Sequence, residues 1–351
     1  MSLNMPQKEE VKSKTAGEDY RKVWGDYDLS TDKPGERDET GVNRKDVANT
    51  YYDLVTDNYV GGWNERFHYC TFEPGESWDV AMARHEHYMA MLCEMKPGMK
   101  VLDAGCGIGA PAREICMFTK AHVTGITLSP YHYAWATDAA KQKGLWGQGD
   151  GQCEFVQGDF QKMPFADESF DRVYAMEATC YSRPLSAVYR EIFRVLKPGG
   201  IFGTYEWSLT EKYDDSDPKH REIRNSIERG GGVVYLNNPK EIEDALKEAG
   251  LEILHHEDLA LKSRVPWWYP MAGQTEYATA WEDWIKTFRM KSGMVSFGYF
   301  VHWLFCKTGI WPDARREALN TCVQCAWGNK DGGITGTFSP FMMFVVKRPE
   351  V

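Results

Sequence analysis

The run from Lys100 to Ala110 contains the residues whose types and spacing are most suited to chemistry. Asp103 precedes three glycines, Gly105, Gly107 and Gly109, which occupy every second position. Glycine has no Cβ and tolerates positive φ, so a ligand can approach the backbone of such a turn closely. A helical pattern follows the turn, and the free N–H groups of a helix N-terminus favour a polar ligand.

The glycine spacing indicates one class of ligand. It reads GxGxG, whereas dinucleotide-binding turns read GxGxxG, and a carboxylate stands just before it. This combination favours a cationic nucleoside over a pyrophosphate. S-adenosylmethionine fits, because its amino group can meet Asp103 while the turn residues Gly105, Cys106, Gly107 and Gly109 face the rest of the ligand. The alternative is an ordinary tight turn between a strand and a helix.

The turn belongs to a chain in which strand and helix patterns alternate from Met99 onward. Such alternation predicts an α/β fold with a mostly parallel sheet and helices on both faces. The predicted strands are at residues 101–102, 121–126, 153–156, 172–176, 201–207, 251–255 and 338–346. The predicted helices in this part of the chain are at residues 112–118, 131–143, 185–196 and 239–249.

Polar side chains lie near the carboxyl ends of five predicted strands. They are Asp103, Thr127, Asp159, Glu177 and Glu206. Ligands of open α/β sheets bind outside the carboxyl ends of the strands. We therefore expect these side chains to border one site.

Two segments precede the sheet. Residues 1–45 are rich in charged and small polar residues and are predicted to be a mobile arm, with a short docking helix around Tyr20, Val23 and Trp24. Residues 46–98 are predicted to form two lid helices. Their apolar positions at helical spacing are Val47, Tyr51, Leu54, Val55 and Tyr59 in the first helix and, after a Ser77 N-cap, Val80, Ala83, Tyr88 and Leu92 in the second.

Residues 263–311 break the alternation and contain 13 aromatic residues in 49 positions, about double the frequency of the whole chain. One interpretation makes them the core of a helical insertion. Another makes part of them the wall of a large apolar pocket or a rim that faces a membrane, and both can hold together. The same composition suits a subunit interface, so a homo-oligomer is a further expectation.

Composition and charge exclude several classes of function. A formal net charge of −10 opposes nonspecific binding to phosphate backbones, so no nucleic-acid partner is expected. No apolar run reaches the roughly 18 to 20 residues of a membrane helix, so we expect a soluble protein with at most peripheral membrane contact. Nine cysteines without a regular framework, and no signal-peptide pattern, favour a reducing cytoplasmic location.

The pair Cys322 and Cys325 has the spacing of metal or redox motifs. Two cysteines alone do not complete a zinc site, which needs two further ligands. They lie within an amphipathic helical pattern. We therefore predict structural thiols and no metal.

Five further motifs resemble one known family. They are YYDLVT at 51–56, ARHEHY at 83–88, YAMEATC at 174–180, YEW at 205–207 and FSPFMMFVVKRPE at 338–350. In this order they resemble the S-adenosylmethionine-dependent sterol C-24 methyltransferase family, from about Val47 to the end of the chain. The glycine turn alone would indicate only a class I methyltransferase.

The resemblance implies a fold and an activity. The implied fold is the Rossmann-like class I methyltransferase fold, with a seven-stranded, mostly parallel sheet, N-terminal lid helices and a helical C-terminal insertion. Residues 99–262 would form the S-adenosylmethionine-binding core and residues 263–351 a sterol methyltransferase-like region. The implied reaction adds a methyl group to a side-chain alkene of a sterol or triterpenoid through a carbocation, followed by proton loss. A hydrophobic substrate of this kind also suggests peripheral contact with the endoplasmic reticulum membrane.

The resemblance also implies roles for residues at the strand ends. Asp159 is expected to accept a hydrogen bond from the adenine amino group, with Phe160 beside the ring. After the second strand the acid that usually binds the ribose hydroxyls is absent. Thr127, Leu128 and Ser129 stand there, and their backbone or hydroxyl groups are expected to supply the contacts.

Acids and histidines in the motifs are the candidates for catalysis. Glu177 follows the fourth strand, where the methyl group would point, and is the first choice for an active-site acid or base; the alternative is a carboxylate that orders a loop. Adjacent helical positions point about 100° apart, so at most two residues of the 85–87 stretch share a face. The full set of candidates is Glu177, Glu206, His68, His85, Glu86 and His87.

Aromatic and glycine residues are the expected substrate contacts. They are Tyr59, Gly61, Trp63, Tyr181, Tyr205, Trp207, Trp267 and Trp268. Members of the family commonly read Tyr-Glu-Tyr-Gly-Trp-Gly where this chain has YVGGWN at residues 59–64. The missing ring at Gly61 implies a pocket that is larger or differently shaped.

Two alternatives to sterol methylation remain open at this point. The first keeps the cofactor but methylates another acceptor, such as a linear isoprenoid like squalene or a phenolic oxygen. The second is a lipid-binding protein that retains the fold without turnover. The intact glycine turn, Asp159 and Glu177 favour an enzyme.

Overall fold

A seven-stranded sheet forms the centre of the protein in the computed structural model, which describes residues 10–24 and 43–350. The strands are β1 (Lys100–Ala104), β2 (His122–Thr127), β3 (Cys153–Gln157), β4 (Phe170–Met176), β5 (Leu196–Leu209), β6 (Glu252–Asp258) and β7 (Phe338–Lys347). Their order is β3-β2-β1-β4-β5-β7-β6. Strands β1 to β5 are parallel, and β7 is antiparallel to both β5 and β6. The predicted α/β fold with a mostly parallel sheet is confirmed.

Eleven α-helices in the described residues surround this sheet. They are α1 (Glu10–Trp24), α2 (Arg44–Gly62), α3 (Trp78–Leu92), α4 (Ala110–Thr119), α5 (Pro130–Gln142), α6 (Leu185–Val195), α7 (Pro218–Gly231), α8 (Pro239–Glu248), α9 (Trp281–Arg289), α10 (Ser292–Lys307) and α11 (Asp313–Thr335). Within the described ranges, none of them combines the length and the apolarity that crossing a bilayer requires.

The predicted elements are present with small shifts at their ends, whereas α7 was not predicted. Its sequence is dominated by charged residues, and Ile223 and Ile227 are its buried apolar positions. Two isolated apolar residues give a weak periodic signal. The helix is held by packing against α11, which lies far away in the sequence.

The short helix predicted near the N-terminus is confirmed as α1. Tyr20 and Trp24 are buried against Tyr51 of α2 and Ala318 of α11. Residues 1–9 and 25–42 of the predicted mobile arm lie outside the described residues. The arm was predicted to reach residue 45, but Asn43 is already the N-cap of α2, which begins at Arg44.

The predicted apolar face of α3 is only partly correct, because Tyr88 and Leu92 pack half-buried against the core whereas Val80 does not. Val80 is 57% exposed, and the buried positions of the helix include Met82, His85, Glu86 and Met89. Met89 packs where Gly203 of β5 leaves room for its sulfur. The buried face therefore carries polar groups that a search for apolar periodicity passes over.

Ser77 is the N-cap residue of α3, as predicted, but its side chain does not make the capping hydrogen bond. The Trp78 N–H instead donates to Asp283 Oδ2 of α9 over 2.9 Å. The C-terminal region thus supplies the cap of an N-terminal helix.

The aromatic segment forms α9, α10 and the turns around them, as a helical insertion. Strand β7 then returns to the sheet between β5 and β6, and its residues are buried up to Val346. The predicted last strand is confirmed.

Close contact between α7 and α11 generates a stability prediction. A Cβ on Gly230 would lie 2.3 Å from the backbone nitrogen of Cys325. Gly230→Ala should lower the free energy of unfolding in urea by about 2 kcal/mol, because the two helices must separate. As a control, Gly293→Ala on α10 meets nothing within 4 Å and should be neutral or slightly stabilising. Equal stability of Gly230→Ala and wild type would contradict the packing described.

Candidate active site

A cavity of about 460 Å³ lies at the carboxyl ends of β1 to β4, and we call it the polar cavity. Residues predicted to bind the cofactor line it, together with two other candidates. They are Asp103, Gly105, Cys106, Gly107, Thr127, Leu128, Ser129, Asp159, Phe160 and Glu177, and, from the other sets, His68 and Tyr181. Most of the residues predicted to bind the cofactor thus lie at one cavity, as is expected for side chains at the carboxyl ends of parallel strands.

The glycine turn has the cradle shape that the spacing predicts. Gly105 has a φ of 99°, and a Cβ there would lie 2.4 Å from Ala178 Cβ. Gly109 has a φ of 75° and is the N-cap of α4, but it does not line the cavity. A Cβ on Gly109 would strike the Phe155 ring, so its role is packing behind the turn.

Asp103 is buried at the floor of the polar cavity. Its Oδ2 accepts a hydrogen bond from Tyr174 Oη over 2.9 Å, across the β1–β4 register that pairs the two residues. Burial raises the pKa of Asp103 to about 7, and the Tyr174 bond only partly offsets this. Within the described residues it forms no ion pair, so a ligand ammonium group would meet an uncompensated carboxylate.

The opposite end of the polar cavity contains Asp159 and Phe160. Asp159 accepts a hydrogen bond from the Gln161 N–H over 2.9 Å and forms an ion pair with Lys45 of α2. Lys45 also lines the cavity. Helix α2 therefore lies over the position predicted for adenine, and its N-terminal turn is tied to the core by this pair.

The loop after β2 forms the next part of the wall. The Ser129 side chain caps α5 by accepting a hydrogen bond from the His132 N–H over 3.3 Å. That bond occupies one lone pair of the hydroxyl. The Thr127 hydroxyl and the backbone of the loop are the other groups available to a ribose.

Glu177 occupies a strained backbone position at the end of β4. Its φ is 54°, in the left-handed region that residues with a side chain rarely adopt. Its Oε1 accepts the Tyr69 N–H over 2.7 Å, and its Oε2 accepts the Trp207 Nε1–H over 2.6 Å. Burial raises the pKa of Glu177 to about 7, although His68, Trp207 and the Tyr69 amide all act to lower it. Strain at a cavity wall is typical of functional residues.

His68 is buried beside Glu177 and is held at both ring nitrogens. Nδ1 lies 2.6 Å from the Tyr69 carbonyl, which can only accept, and Nε2 lies 3.0 Å from Glu86 Oε1. Burial lowers the pKa of His68, but the Glu86 hydrogen bond and the charges of Glu86 and Glu177 more than compensate, so the pKa is raised. Arg66 also donates to Glu86, over 2.9 Å. His68 thus lines the cavity, and Glu86 holds its ring from behind.

Four of the six predicted catalytic residues do not line the polar cavity: Glu86, which lies behind His68, and His85, His87 and Glu206. The His85 ring stacks on the Tyr205 ring at 4.1 Å, and burial lowers the pKa of His85 well below its usual range. His87 lies on the outer face of α3, 2.9 Å from Glu114. Glu206 points to the opposite face of the sheet, where Tyr189 of α6 donates to it over 2.9 Å. Side chains alternate along a strand, so Glu206 cannot share a face with Tyr205.

A second cavity of about 510 Å³ lies under α10, and we call it the apolar cavity. The predicted substrate contacts Tyr59, Gly61 and Trp63 line it, as do Tyr69 and Val301. A Cβ on Gly61 would meet nothing within 4 Å, so the space next to this residue is open. Both volumes lie in the range of ligand pockets.

One aromatic layer separates the two cavities. Phe67 lines the polar cavity, Tyr59 lines the apolar cavity, and their ring centroids are 5.4 Å apart. Tyr69 faces the apolar cavity while its N–H holds Glu177. The chain from Phe67 to Tyr69 is therefore the wall between the cavities, and Glu177 lies directly behind it.

The other predicted substrate contacts have different positions. Tyr181 lines the polar cavity and donates to the Gly231 carbonyl over 2.8 Å. Tyr205 is buried, donates to the His85 carbonyl and lines neither cavity. Trp267 is 1% exposed and packs on Tyr69, so it supports the wall from behind.

Trp207 and Trp268 complete the predicted substrate set. Trp207 supports Glu177 through its indole N–H and does not line either cavity. Trp268 packs against Gly333 of α11, away from both cavities. A high local content of tryptophan does not by itself distinguish a lining ring from a packed one.

The cysteines of α11 are free thiols at the apolar cavity. Cys325 is buried, and Cys322 is half-buried. Burial raises the pKa of the Cys325 thiol to about 12 and also raises that of Cys322. Both thiols are therefore neutral near pH 7.

Sequence reasoning missed several residues of the polar cavity. Lys45, Tyr52 and Arg183 line it, and Tyr174 holds Asp103. Tyr174 could have been found, because a parallel register places it opposite Asp103 in adjacent strands. Lys45 gave no local signal, since its partner is more than a hundred residues away.

The residues of the polar cavity fit S-adenosylmethionine. A ligand can lie against the backbone of Gly105 and Gly107, which line the cavity with φ values of 99° and 51°. Asp103 offers an acceptor for an ammonium group, and Asp159 with Phe160 offers a polar and an aromatic contact at the other end. The chain's own groups thus match both ends of the cofactor.

Comparisons with known proteins agree with this geometry. A family model described as a methyltransferase domain matches residues 102–204. A sterol 24-C-methyltransferase of Gibberella zeae is 44% identical over 317 residues, which cover 90% of this chain and 82% of that protein. The sterol 24-C-methyltransferase of Saccharomyces cerevisiae is 39% identical over 338 residues, covering 96% and 86%.

Solved structures support the fold. The geranyl diphosphate C-methyltransferase from Streptomyces coelicolor, in complex with S-adenosyl-L-homocysteine, aligns with a TM-score of 0.58 and 15% identity. The alignment covers 88% of this chain and 99% of that chain. The low identity limits this comparison to architecture.

The buried carboxyl of Glu206 generates a pH prediction. Burial raises the pKa of Glu206 to about 7, so the folded state keeps a proton that the unfolded state releases near pH 4.5. The stabilisation is full below that pH and is lost as the pH rises through about 7. Glu206→Gln should therefore unfold like wild type near pH 5 but be more stable by about 3 kcal/mol near pH 8.

Urea unfolding at both pH values tests this prediction. Glu248→Gln, at an exposed position of α8, is the matched control and should change stability little at either pH. The prediction fails if Glu206→Gln and wild type show the same dependence of unfolding free energy on pH.

Proposed function

The chain belongs to the sterol 24-C-methyltransferase family, and we propose that it methylates a side-chain alkene of a sterol or triterpenoid with S-adenosylmethionine as donor. The observation that carries the proposal is the pair of cavities. One is polar and fits the cofactor, the other is apolar, and Glu177 lies at the wall between them.

The polar cavity would hold the cofactor through groups at both ends. Asp103 would accept from the amino group, and the turn from Gly105 to Gly107 would lie along the ligand. Asp159 and Phe160 would contact adenine, as the resemblance implies. When bound, the cofactor supplies a methyl group on a positively charged sulfur, which is a strong electrophile.

The apolar cavity would hold the ring system of the substrate. Its lining contains few polar groups, which suits a molecule made mostly of carbon and hydrogen. The side chain of the substrate would then point through the aromatic layer of Tyr59, Phe67 and Tyr69 toward Glu177. This arrangement brings an alkene to the boundary between the cavities.

The protein's contribution to the reaction is placement and charge stabilisation. When the alkene electrons form the new carbon–carbon bond, a positive charge develops on the neighbouring carbon of the substrate. The faces of the aromatic layer and the carboxylate of Glu177 would stabilise that charge. A proton must then leave the substrate to restore a double bond.

Glu177 is the better candidate to receive this proton. Both ring nitrogens of His68 are engaged, one by the Tyr69 carbonyl and the other by Glu86, so neither is free to take a proton from a substrate. Glu177 lines the polar cavity and has a pKa of about 7 in the ligand-free protein. We therefore assign Glu177 as the base and His68 with Glu86 as positioning residues.

We also propose a cytoplasmic location with peripheral contact to the endoplasmic reticulum membrane. Sterols partition into bilayers, so an enzyme that acts on them gains by working at the membrane surface. The support for this proposal is the apolar character of the second cavity and the exposed aromatic residues around it.

Product analysis with a labelled donor tests the function and the role of Glu177. Wild type, incubated with methyl-labelled S-adenosylmethionine, should label sterols with a 24(25) double bond in preference to squalene or phenolic compounds. Glu177→Gln should bind S-adenosylhomocysteine nearly as wild type does by calorimetry but turn over about a hundredfold more slowly. For wild type, kcat/KM should fall as the pH drops below about 7, where Glu177 is protonated.

The controls separate the alternatives. Glu206→Gln, which lies on the other face of the sheet, should retain turnover within about threefold of wild type. If label appears in squalene or a phenol but in no sterol, the acceptor is a linear isoprenoid or a phenolic oxygen and the proposed sterol acceptor is wrong. Saturable cofactor binding without label in any compound would indicate a lipid-binding protein.

The open space at Gly61 predicts a specificity change. Gly61→Tyr should fold normally, because its Cβ meets no atom, and should reduce the volume of the apolar cavity. We expect the kcat/KM for a 4,4-dimethyl sterol relative to a 4-desmethyl sterol to fall about tenfold. Gly61→Ala, which adds only a methyl group, is the control and should leave the ratio close to wild type. If this kcat/KM ratio is unchanged in Gly61→Tyr, the ring system of the sterol does not lie beside residue 61.

A further inference from the structure

Helix α10 is apolar on two opposite faces. One face, with Met294, Val295, Gly298, Val301 and His302, covers the apolar cavity. The other face consists of Phe300, Trp303 and Leu304, which are 54%, 44% and 40% exposed. Phe297, which is 58% exposed, lies at the edge of this face, where it also borders the apolar cavity. These four residues, which we call the outer stripe, recur at spacings of three and four. A helix that is hydrophobic all round belongs in a core or in lipid, yet one face of α10 is in neither.

The charge of the surrounding segment differs from that of the whole protein. Residues 284–312 contain Lys286, Arg289, Lys291 and Lys307 but no Asp or Glu, in a chain of net charge −10. Lys307 Nζ lies 4.9 Å from the Trp303 ring centroid. Basic residues beside exposed tryptophan and phenylalanine are typical of helices that lie in the interface of an anionic membrane.

The size of the outer stripe argues against a second copy of the chain as its partner. Each aromatic side chain has a surface of about 150–250 Å² and is about half exposed, so the stripe offers about 400 Å². A stable protein–protein interface buries about 800 Å² on each partner. A bilayer has no such minimum, because a few aromatic residues and basic charges together suffice for peripheral binding.

We propose that α10 is a bilayer-docking helix and that it also forms the gate through which substrate passes from the membrane into the apolar cavity. The outer stripe enters the headgroup region, and Lys291 and Lys307 at the two ends of the helix contact anionic lipid. The opposite face of the same helix is the roof of the cavity, so a lipid-dissolved substrate needs only to pass α10. The gate rests on the proposed function, whereas the docking does not.

Vesicle flotation tests the docking without any turnover. Full-length wild type should float with vesicles of phosphatidylcholine and phosphatidylserine in a three-to-one ratio, and less with phosphatidylcholine alone. Phe300→Ser combined with Trp303→Ser should bind at least about tenfold more weakly, because two rings no longer enter the bilayer. Lys291→Ser combined with Lys307→Ser should lose only the preference for phosphatidylserine.

A matched control and a second readout distinguish bilayer docking from a general loss of apolar surface and from self-association. Val80→Ser combined with Met91→Ser changes two residues of α3 that are 57% and 65% exposed, and it should float as wild type does. Sedimentation velocity reports whether the Phe300 and Trp303 variant loses a dimer instead. A dimer in wild type that is lost in the variant, with no flotation of either, would overturn the proposal in favour of self-association.

Substrate delivery tests the gate. With sterol carried in vesicles, turnover of the Phe300 and Trp303 variant should fall about tenfold, whereas sterol carried by cyclodextrin should be methylated at the wild-type rate. An equal loss in both formats would overturn the gate. If wild type methylates sterol in neither format, the proposed function fails, while the flotation result still decides the docking.

Discussion

The two hydrogen bonds to Glu177 join the parts on which the site depends. The Tyr69 amide belongs to the wall between the cavities, and the Trp207 indole belongs to β5. Together they fix the carboxylate at a backbone position with a φ of 54°. A buried carboxylate without such donors would be strongly disfavoured, so the wall, the strand end and the base must form together. The second cavity lies on the other side of that wall, which makes the same bonds relevant to substrate.

The sequence was sufficient for those features that depend on local pattern. Alternating strands and helices predicted the sheet, and the rule for strand ends brought Asp103, Asp159 and Glu177 to one cavity. It failed for Glu206, because proximity to a strand end does not determine which face of the sheet a side chain occupies. The sequence also offered no sign of Lys45, because the residue with which it forms an ion pair, Asp159, is remote in sequence. Contacts of that kind depend on how whole helices pack, and single positions do not encode them.

Aromatic content illustrates the same limit at the scale of a segment. The region rich in tryptophan was expected to provide a core, a pocket wall or a membrane rim, and the structure divides it among these roles. Trp267 supports the wall from behind, Phe297 borders the apolar cavity, and Phe300 faces outward. Composition predicted the set of roles but not their assignment, because neighbouring helical positions differ by about 100° in direction.

The position of β7 in the sheet has a consequence for how the protein is made. This strand follows β6 in the sequence, yet it lies between β5 and β6 and pairs with both along most of its length. During synthesis β6 therefore emerges with no neighbour in the sheet and waits for residues 338–347. Pairings so distant in sequence form slowly, and the unpaired edges of β5 and β6 remain exposed meanwhile. The sheet is therefore completed only after β7 has been made, and binding by chaperones in the interval between β6 and β7 would protect the two edges from aggregation.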